Sequence, residues 1–396
     1  MKIENLSREI LNDVQSDILD RIVAKGAQVY LVGGCLRNYF LRAPITDIDV
    51  EVTGLSFDLL KKILKAECRF VNETFKVITT TAHMDISLPR TEIKQGLGYH
   101  EYQLSFEAIN IEDTIRRRDF TINALLYDYN QAVLIDLCHG QADIRNRVLR
   151  VVDESKYRED SIRVLRLLKF AFTYDLTISL SCRKLNIGLS QYLWSQPPLL
   201  CIRLFKSIIA SPYFDIDTFL FYLEDFLQLK RLKTCLSHNV FHPEISLYNH
   251  VKGCLIALRL FKAQLETRDY YLLFITLLFH DYGKLEIKKG HELLSLEFFQ
   301  QYQPFLLNNK KQSALTERLI SDHMVIREYA DNDDVKAMQA LRRRYQNQFY
   351  LLVIVGLCDY AGRVIDFNIE TIKTRMSWYQ AHVLNKYQVN LKVLGD

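Results

Sequence analysis

The sequence predicts an α+β protein: an α/β head over residues 1–142 followed by an all-α remainder. Three observations predict it. Leu31 to Val52, LVGGCLRNYFLRAPITDIDVEV, reads as strand, glycine turn, helix start and second strand. Short alternating segments recur up to about Asp143. Beyond it alternation does not return, and helical periods run on, broken near Gln196-Pro197-Pro198, Pro212, Pro243 and Gly290-His291.

In chain order, residues 1–27 place Ile3, Leu6, Ile10, Leu11, Val14, Ile18 and Ile22 at helical spacing. Val29 to Val32 is a short buried strand, Gly33-Gly34 breaks it, and a helix carrying Arg37 follows. Ile48 to Val52 alternates as a strand does. Val77 to Ile86 and Tyr102 to Phe106 offer further strands, Asp113 to Leu126 reads as a helix, and Leu134 to Asp136 is a last strand before a turn at Gly140. There is no internal repeat. The helical remainder divides into 143–228 and 229–396.

The 396 residues suffice for two or three domains with real cores. Hydrophobic residues make up 49% and charged residues 25%, the balance of an ordinary globular protein rather than a disordered or membrane chain. The formal net charge of +4 neither demands nor excludes nucleic acid, so local clusters must decide. The eight cysteines are scattered without a CxxC, which suits reduced core thiols. The start has no signal-like apolar stretch, and the most apolar run, Tyr270 to Phe279, is too short to span a bilayer. The expectation is a cytoplasmic protein.

Gly33 and Gly34 permit a turn whose N–H groups approach a phosphate closely, and the helix start adds its positive end. Arg37 lies in that helix's first turn, placed to pair with phosphate oxygens. Asp47 and Asp49 are two apart, so on a strand they face one way, and such carboxylates repel unless a cation lies between them. Mg²⁺ prefers ligands of this kind and serves in-line phosphoryl transfer. Alone, the turn would be an ordinary turn and the DxD an ordinary solvent-facing edge; together they point to a nucleotidyl-transfer site.

VGGCLRNYFL followed by DIDVEV resembles the signature of the nucleotidyltransferases that add CCA to tRNA 3′ ends and of the related bacterial poly(A) polymerases. The resemblance implies a polymerase-beta-like head, two Mg²⁺ at Asp47 and Asp49, CTP and ATP as substrates and tRNA as partner. The family usually has Asp where Asn38 stands. Pro89 to Glu92 with Gly98-Tyr99 resembles its mobile loop. Arg116 to Leu125, RRRDFTINAL, resembles its RRDFTINAL motif, with Asp119 as ribose contact, Arg117 and Arg118 as phosphate contacts, and Asn123 on the same face as Asp119. Asp136, Gly140, Asp143, Arg147 and Arg150 resemble the hinge to the neck.

Glu159 to Arg166, EDSIRVLR, resembles the nucleotide-selecting EDxxRxLR. Asp160 only accepts hydrogen bonds and Arg163 only donates them. Cytosine and adenine each present an amino donor beside a ring-nitrogen acceptor and match the pair, whereas guanine and uracil leave groups unsatisfied at about 1–3 kcal/mol each. Arg166 is placed to help with base or triphosphate. Cys201 to Ser211 resembles the family's ERxWxE helix with Arg203 kept and Ser207 in place of the usual glutamate.

In the C-terminal half, His250, His280-Asp281 and Asp359 resemble the H…HD…D set of HD-type phosphohydrolases, with His291 and His323 at further histidine positions. Imidazole with carboxylate suits Ni²⁺, Mn²⁺, Co²⁺ or Fe²⁺ better than Ca²⁺. HPEISLYNHV also resembles CCA-adding enzymes with a C-terminal HD domain, which hydrolyse 2′,3′-cyclic phosphates, 2′-nucleotides and phosphate monoesters. The expected organisation is a head (1–142), a helical neck (143–228) and an HD-type helical domain (229–396). Alternatives are a poly(A) polymerase, a partial CC- or A-adding enzyme, an RNA-binding protein with an inactive head, or a chain active only in its HD half.

Overall fold

The computed structural model describes residues 5–94, 102–106, 109, 111–236 and 244–385. They form two compact units, 1–189 and 190–396.

The first unit is α/β. Helices α1 (Leu6–Ile10) and α2 (Asp13–Val23) come first. One helix was expected over 1–27; Asn12 divides it, because it and Gln15 close a reciprocal capping box that starts α2 afresh. Strand β1 (Gln28–Val32), α3 (Gly34–Leu41), β2 (Ile48–Thr53), α4 (Phe57–Ile63), β3 (Cys68–Asn72), β4 (Val77–Thr80) and β5 (Met84–Ser87) follow. Hairpin β6 (Thr91–Lys94) and β7 (Tyr102–Ser105) forms its own small sheet. Then come α5 (Ile111–Arg116), β8 (Leu126–Asp128), β9 (Val133–Ile135) and α6 (Gly140–Arg145). The main sheet runs β3-β4-β5-β2-β1-β8-β9, antiparallel except for the parallel pair β2–β5. Its central strands bury Val29, Leu31, Val50, Val52 and Ile86, and α2 adds Ile18, Leu19 and Ile22 to the core.

The helix expected over Asp113–Leu126 is corrected. It ends at Arg116; Phe120 bridges Val151 in extended conformation, Thr121–Asn123 is one 3₁₀ turn, and β8 begins at Leu126. The Asp119 side chain accepts from the Phe120 N–H, and the Thr121 N–H goes to Arg150, so the backbone donors leave the helical ladder. Strand pairing also continues past Asp143, where β10 (Val148–Leu149) pairs in parallel with β11 (Thr177–Ile178) around α7 (Glu154–Arg158) and α8 (Ile162–Tyr174); α9 (Leu180–Asn186) closes the unit.

The second unit is helical: α10 (Pro198–Ala210), α11 (Ile216–Tyr222), α12 (Leu229–Thr234), α13 (Leu247–Arg259), α14 (Thr267–Phe279), α15 (His291–Leu306), α16 (Lys310–Ser321), α17 (Val325–Asp331), α18 (Val335–Tyr345), α19 (Phe349–Ala361) and α20 (Ile369–Tyr379). α14 is buried on every side from Asp269 to Phe279, which accounts for its apolar run, and α13 and α19 pack against it. No helix among the described residues is long and apolar enough to cross a membrane.

Candidate functional site

Strand β1 delivers the chain to Gly33, whose φ of 68° suits glycine and caps α3. A β-carbon there would lie 3.2 Å from Arg118 Nη1 and 3.7 Å from Asp49 Oδ2, so the turn, Asp49 and Arg118 share one small space. Gly34 is equally close, its β-carbon position 4.0 Å from Asp49 Oδ2. Asp49 sits within β2, opposite Val32, whereas Asp47 lies just before the strand and takes the Thr46 hydroxyl at 2.9 Å.

The pairing of β2 with β5 sets Asp85 directly beside Asp49. Sequence reading missed Asp85. Its signal is the alternation Met84-Asp85-Ile86, but the neighbour relation follows from strand order alone. Burial raises the Asp49 pKa; Arg118 opposes the rise, and Asp85 and Asp47 add to it. A carboxylate whose ionisation is disfavoured despite a nearby arginine fits a cation site.

Glu51, the second acid of the strand, is buried and was also missed. It accepts from Arg117 at 2.6 Å and Arg118 at 2.9 Å. Burial acts to raise its pKa, but Arg118 and Arg117 outweigh this and hold it below the usual carboxylate range.

Asp119 is buried; it accepts from Arg166 Nε at 2.6 Å and from Asn123 at 2.9 Å. Burial would raise its pKa; Arg166 and Asn123 lower it overall. Asn123 therefore does meet Asp119, through a turn rather than along a helix. Asn123 also accepts from Arg37 Nη1 at 2.6 Å.

Arg37 is buried, donates to Asn38 and to the Tyr174 hydroxyl, and stacks on Phe170 and Tyr174. The expected phosphate contact is thus a guanidinium already engaged by protein. Asn38 supplies the acceptor and gives its own N–H to Pro44 O at 2.7 Å, a donor that Asp lacks.

Asp160 and Arg163 stand at the start of α8, where the Asp160 side chain accepts from the Ile162 N–H. Arg163 donates to Lys156 O at 2.8 Å and Arg117 O at 3.3 Å. This joins the selecting motif to the RRDF segment. In the hinge segment, Asp136 caps α6 through the Gly140 and Gln141 N–H groups, and Asp143 holds Thr121 and Arg150. Arg90 packs over Phe75; Gly98 and Tyr99, and His242 and Pro243, lie outside the described residues. Arg203 is exposed on α10 and Ser207 half-buried.

The second unit gathers His250, His280, Asp281, His291, His323 and Asp359, all buried. His250 Nε2 lies 3.2 Å from His280 Nε2, 3.0 Å from Asp359 Oδ1 and 3.2 Å from Asp281 Oδ2. On its other side Asp281 Oδ1 faces His291 Nε2 at 2.8 Å and His323 Nε2 at 3.4 Å.

Three of these rings, His280, His291 and His323, have Nδ1 beside the backbone carbonyl of the third residue before them, which favours the tautomer with a bare inward Nε2. Among the described residues, Asp281 Oδ1, Asp359 Oδ1, His291 Nε2 and His323 Nε2 have no hydrogen-bond partner. Asp281 Oδ2, which faces His250, also takes Lys284, and the other oxygen of Asp359 pairs with Arg363. Burial opposes charge on His280, but Asp281 and Asp359 prevail and push its pKa up to about 9. Inward lone pairs without donors are what a metal site offers.

A family model described as the poly A polymerase head domain matches residues 29–150. The CCA-adding enzyme of Blochmanniella floridana is 42% identical over 144 residues, 36% of this chain and 34% of its own length. The multifunctional CCA protein of Pseudoalteromonas atlantica is 39% identical over 150 residues, 37% of this chain and 36% of its own. The matched stretch thus spans about a third of these relatives. Among solved structures, a Thermotoga maritima CCA-adding enzyme complexed with tRNA aligns at TM-score 0.60 and 16% identity over 95% of this chain and 85% of that one. A CCA-adding enzyme in complex with CTP aligns at TM-score 0.61 and 15% identity over 98% and 85%. At these identities the likeness is one of fold.

Proposed function

We propose that the head of this chain belongs to the poly(A) polymerase and CCA-adding enzyme family, and that the protein adds C, C and A to tRNA 3′ ends from CTP and ATP without a nucleic-acid template. The observation that carries this reading is the polar network linking Asp49, Arg118, Glu51, Arg117 and Arg163. Contact among these residues supports reading Asp49 as a metal ligand, Arg117 and Arg118 as phosphate ligands and Arg163 as a base reader.

Asp47 and Asp49, with Asp85 alongside, would hold Mg²⁺, which neutralises phosphate charge and favours an ionised tRNA 3′-hydroxyl. That hydroxyl attacks the α-phosphate, a phosphodiester bond forms, and pyrophosphate leaves. The N–H groups of Gly33 and Gly34 and the guanidiniums of Arg117 and Arg118 bind the triphosphate, with Glu51 fixing both arginines. Asp119 orients Arg166 and keeps a free lone-pair direction for the ribose hydroxyl. Arg37 holds Asn123 and the turn in place from behind. Asp160 and Arg163 read the amino and ring-nitrogen edge of C or A. Purified protein given tRNA lacking its 3′ end, with labelled CTP and ATP, should incorporate label, and Asp47→Ala should abolish it; absence of incorporation refutes the reading. A poly(A) polymerase or a partial CC- or A-adding enzyme is the alternative.

For the helical unit we propose a metal-dependent phosphohydrolase acting on 2′,3′-cyclic phosphates, 2′-nucleotides and phosphate monoesters. His250, His280, Asp281 and Asp359, with His291 and His323 beyond Asp281, would hold Ni²⁺, Mn²⁺ or Co²⁺, which polarises the phosphoryl group. Hydrolysis of 2′,3′-cyclic AMP that chelators remove and His280→Ala abolishes supports this; hydrolysis insensitive to both refutes it.

A further inference from the structure

We propose that Cys254 is a thiolate ligand of the metal held by the His-Asp cluster, which gives that site a soft donor and a preference for Zn²⁺, Co²⁺ or Ni²⁺ over Mn²⁺ or Mg²⁺. This rests on reading the cluster as a metal centre. Cys254 lies one helical turn after His250 on α13, on the same face.

Four donor atoms, one each from His250, Cys254, His280 and Asp359, all lie within 4.8 Å of one another and are buried. Separations among them are 3.2 Å for His250–His280, 3.0 Å for His250–Asp359, 3.7 Å for His280–Asp359 and 3.6 Å for Cys254 Sγ–His250 Nε2. A tetrahedral ion with nitrogen and oxygen ligands at about 2.0–2.1 Å and sulfur at about 2.3 Å requires ligand–ligand edges of roughly 3.3–3.6 Å. These four edges span 3.0–3.7 Å and bracket that requirement; the edges from Cys254 Sγ to His280 and Asp359 stay within 4.8 Å, and Asp281 Oδ2, 3.2 Å from His250 Nε2, is in reach as a fifth donor.

Among the described residues Asp359 Oδ1 has no hydrogen-bond partner and faces His250 Nε2 at 3.0 Å and His280 Nε2 at 3.7 Å, an arrangement that a cation would satisfy. The thiol is also held in position. A β-carbon at Gly362 would fall 2.5 Å from Cys254 Sγ, so only glycine fits against the sulfur on that side.

Charge favours the same assignment. Lys284 and Arg363 offset Asp281 and Asp359, so a divalent ion adds two positive charges to a dry site, of which buried Glu244, 3.7 Å from His250 Nδ1, offsets one and a thiolate the other. On binding, the thiol S–H bond breaks, its proton goes to solvent, and the sulfur electron pair forms the metal–sulfur bond.

The test is absorption of the full-length protein loaded with Co²⁺. A near-ultraviolet thiolate-to-cobalt charge-transfer band is expected beside visible ligand-field bands. Cys254→Ser should lose the former and keep the latter, with Co²⁺ affinity down about tenfold or more; Cys358→Ser should change neither. Ligand-field bands without charge transfer in the wild type overturn the thiolate assignment and leave the metal reading standing. Absence of both sets of bands in the wild type overturns the metal reading itself, and the assignment falls with it. X-ray absorption of the Zn²⁺-loaded wild type needs no variant: one sulfur at about 2.3 Å is expected, and nitrogen and oxygen alone contradict the proposal.

Discussion

At the residue scale, the head site runs on carboxylates placed in opposite electrostatic situations. Asp49 has its pKa raised, first by burial and then by Asp85 and Asp47 against Arg118. The folded protein thus holds a proton there more tightly than the unfolded chain, and ionisation works against folding. Stability of the metal-free protein from this group is full below the ordinary carboxylate pKa and is lost as pH rises through the raised value. Asp49→Asn should therefore raise the metal-free Tm at neutral pH while abolishing nucleotide addition; calorimetry and a primer-extension assay check the two halves. Asp119 shows the reverse: Arg166 outweighs burial and lowers its pKa, so its contribution is present above the ordinary value and fades only in acid.

Glu51 has a different role, as the buried counterion of two arginines. Glu51→Ala should cost about 3–5 kcal/mol in urea denaturation, because it strands both guanidiniums. Asn38, which stands where the family usually has Asp, serves Arg37, Tyr174 and Pro44 through hydrogen bonds that need no charge. Asn38→Ala should cost about 1–3 kcal/mol by the same measurement.

At the element scale, α13 approaches the end of α19 closely beside the His-Asp cluster. A β-carbon at Gly253 would lie 2.3 Å from Gly362 O, a contact only glycine permits. Gly253→Ala should force the two apart at about 1–3 kcal/mol, draw His250 from Asp359 and weaken metal binding in calorimetric titration, with nucleotide addition unchanged. The elements also show what the sequence makes legible. The strand, glycine turn, helix and strand of residues 28–53 could be read because the hydrophobic period changes there and glycine marks the change. The supposed helix through Asp119 could not be rejected, because Phe120 pairing with Val151 is a tertiary fact and the side chain of Asp119 captures a backbone donor. Strand β3 escaped notice because it is an edge strand whose middle residues are exposed, with no alternation to read. Asp85 was hidden because β5 lies beside β2 by topology. Cys254 was hidden because a cysteine on an apolar helix face looks like core. The six histidine and aspartate positions of the cluster were legible, since charge on buried helices needs a partner wherever it occurs.

At the scale of the whole molecule, the two polar centres lie in separate compact units, and each centre's protein ligands come from its own unit. The chemistries should therefore separate genetically. Paired His280→Ala and Asp281→Ala substitutions should remove hydrolysis of 2′,3′-cyclic AMP and spare nucleotide addition, and Asp47→Ala should do the opposite, with both rates measured on one preparation of each protein.

The central claim is that Asp160 and Arg163 let this head add C, C and A and then stop. Sequencing the products made on tRNAs that end before CCA, after C and after CC, with CTP and ATP supplied separately and together, tests it most directly. With both nucleotides, completion to CCA with one terminal A is expected on every substrate; CTP alone should stop at CC, ATP alone should extend only the tRNA that ends in CC, and Asp47→Ala should add nothing. Long adenosine tails, or comparable addition when GTP or UTP is supplied instead, would contradict it.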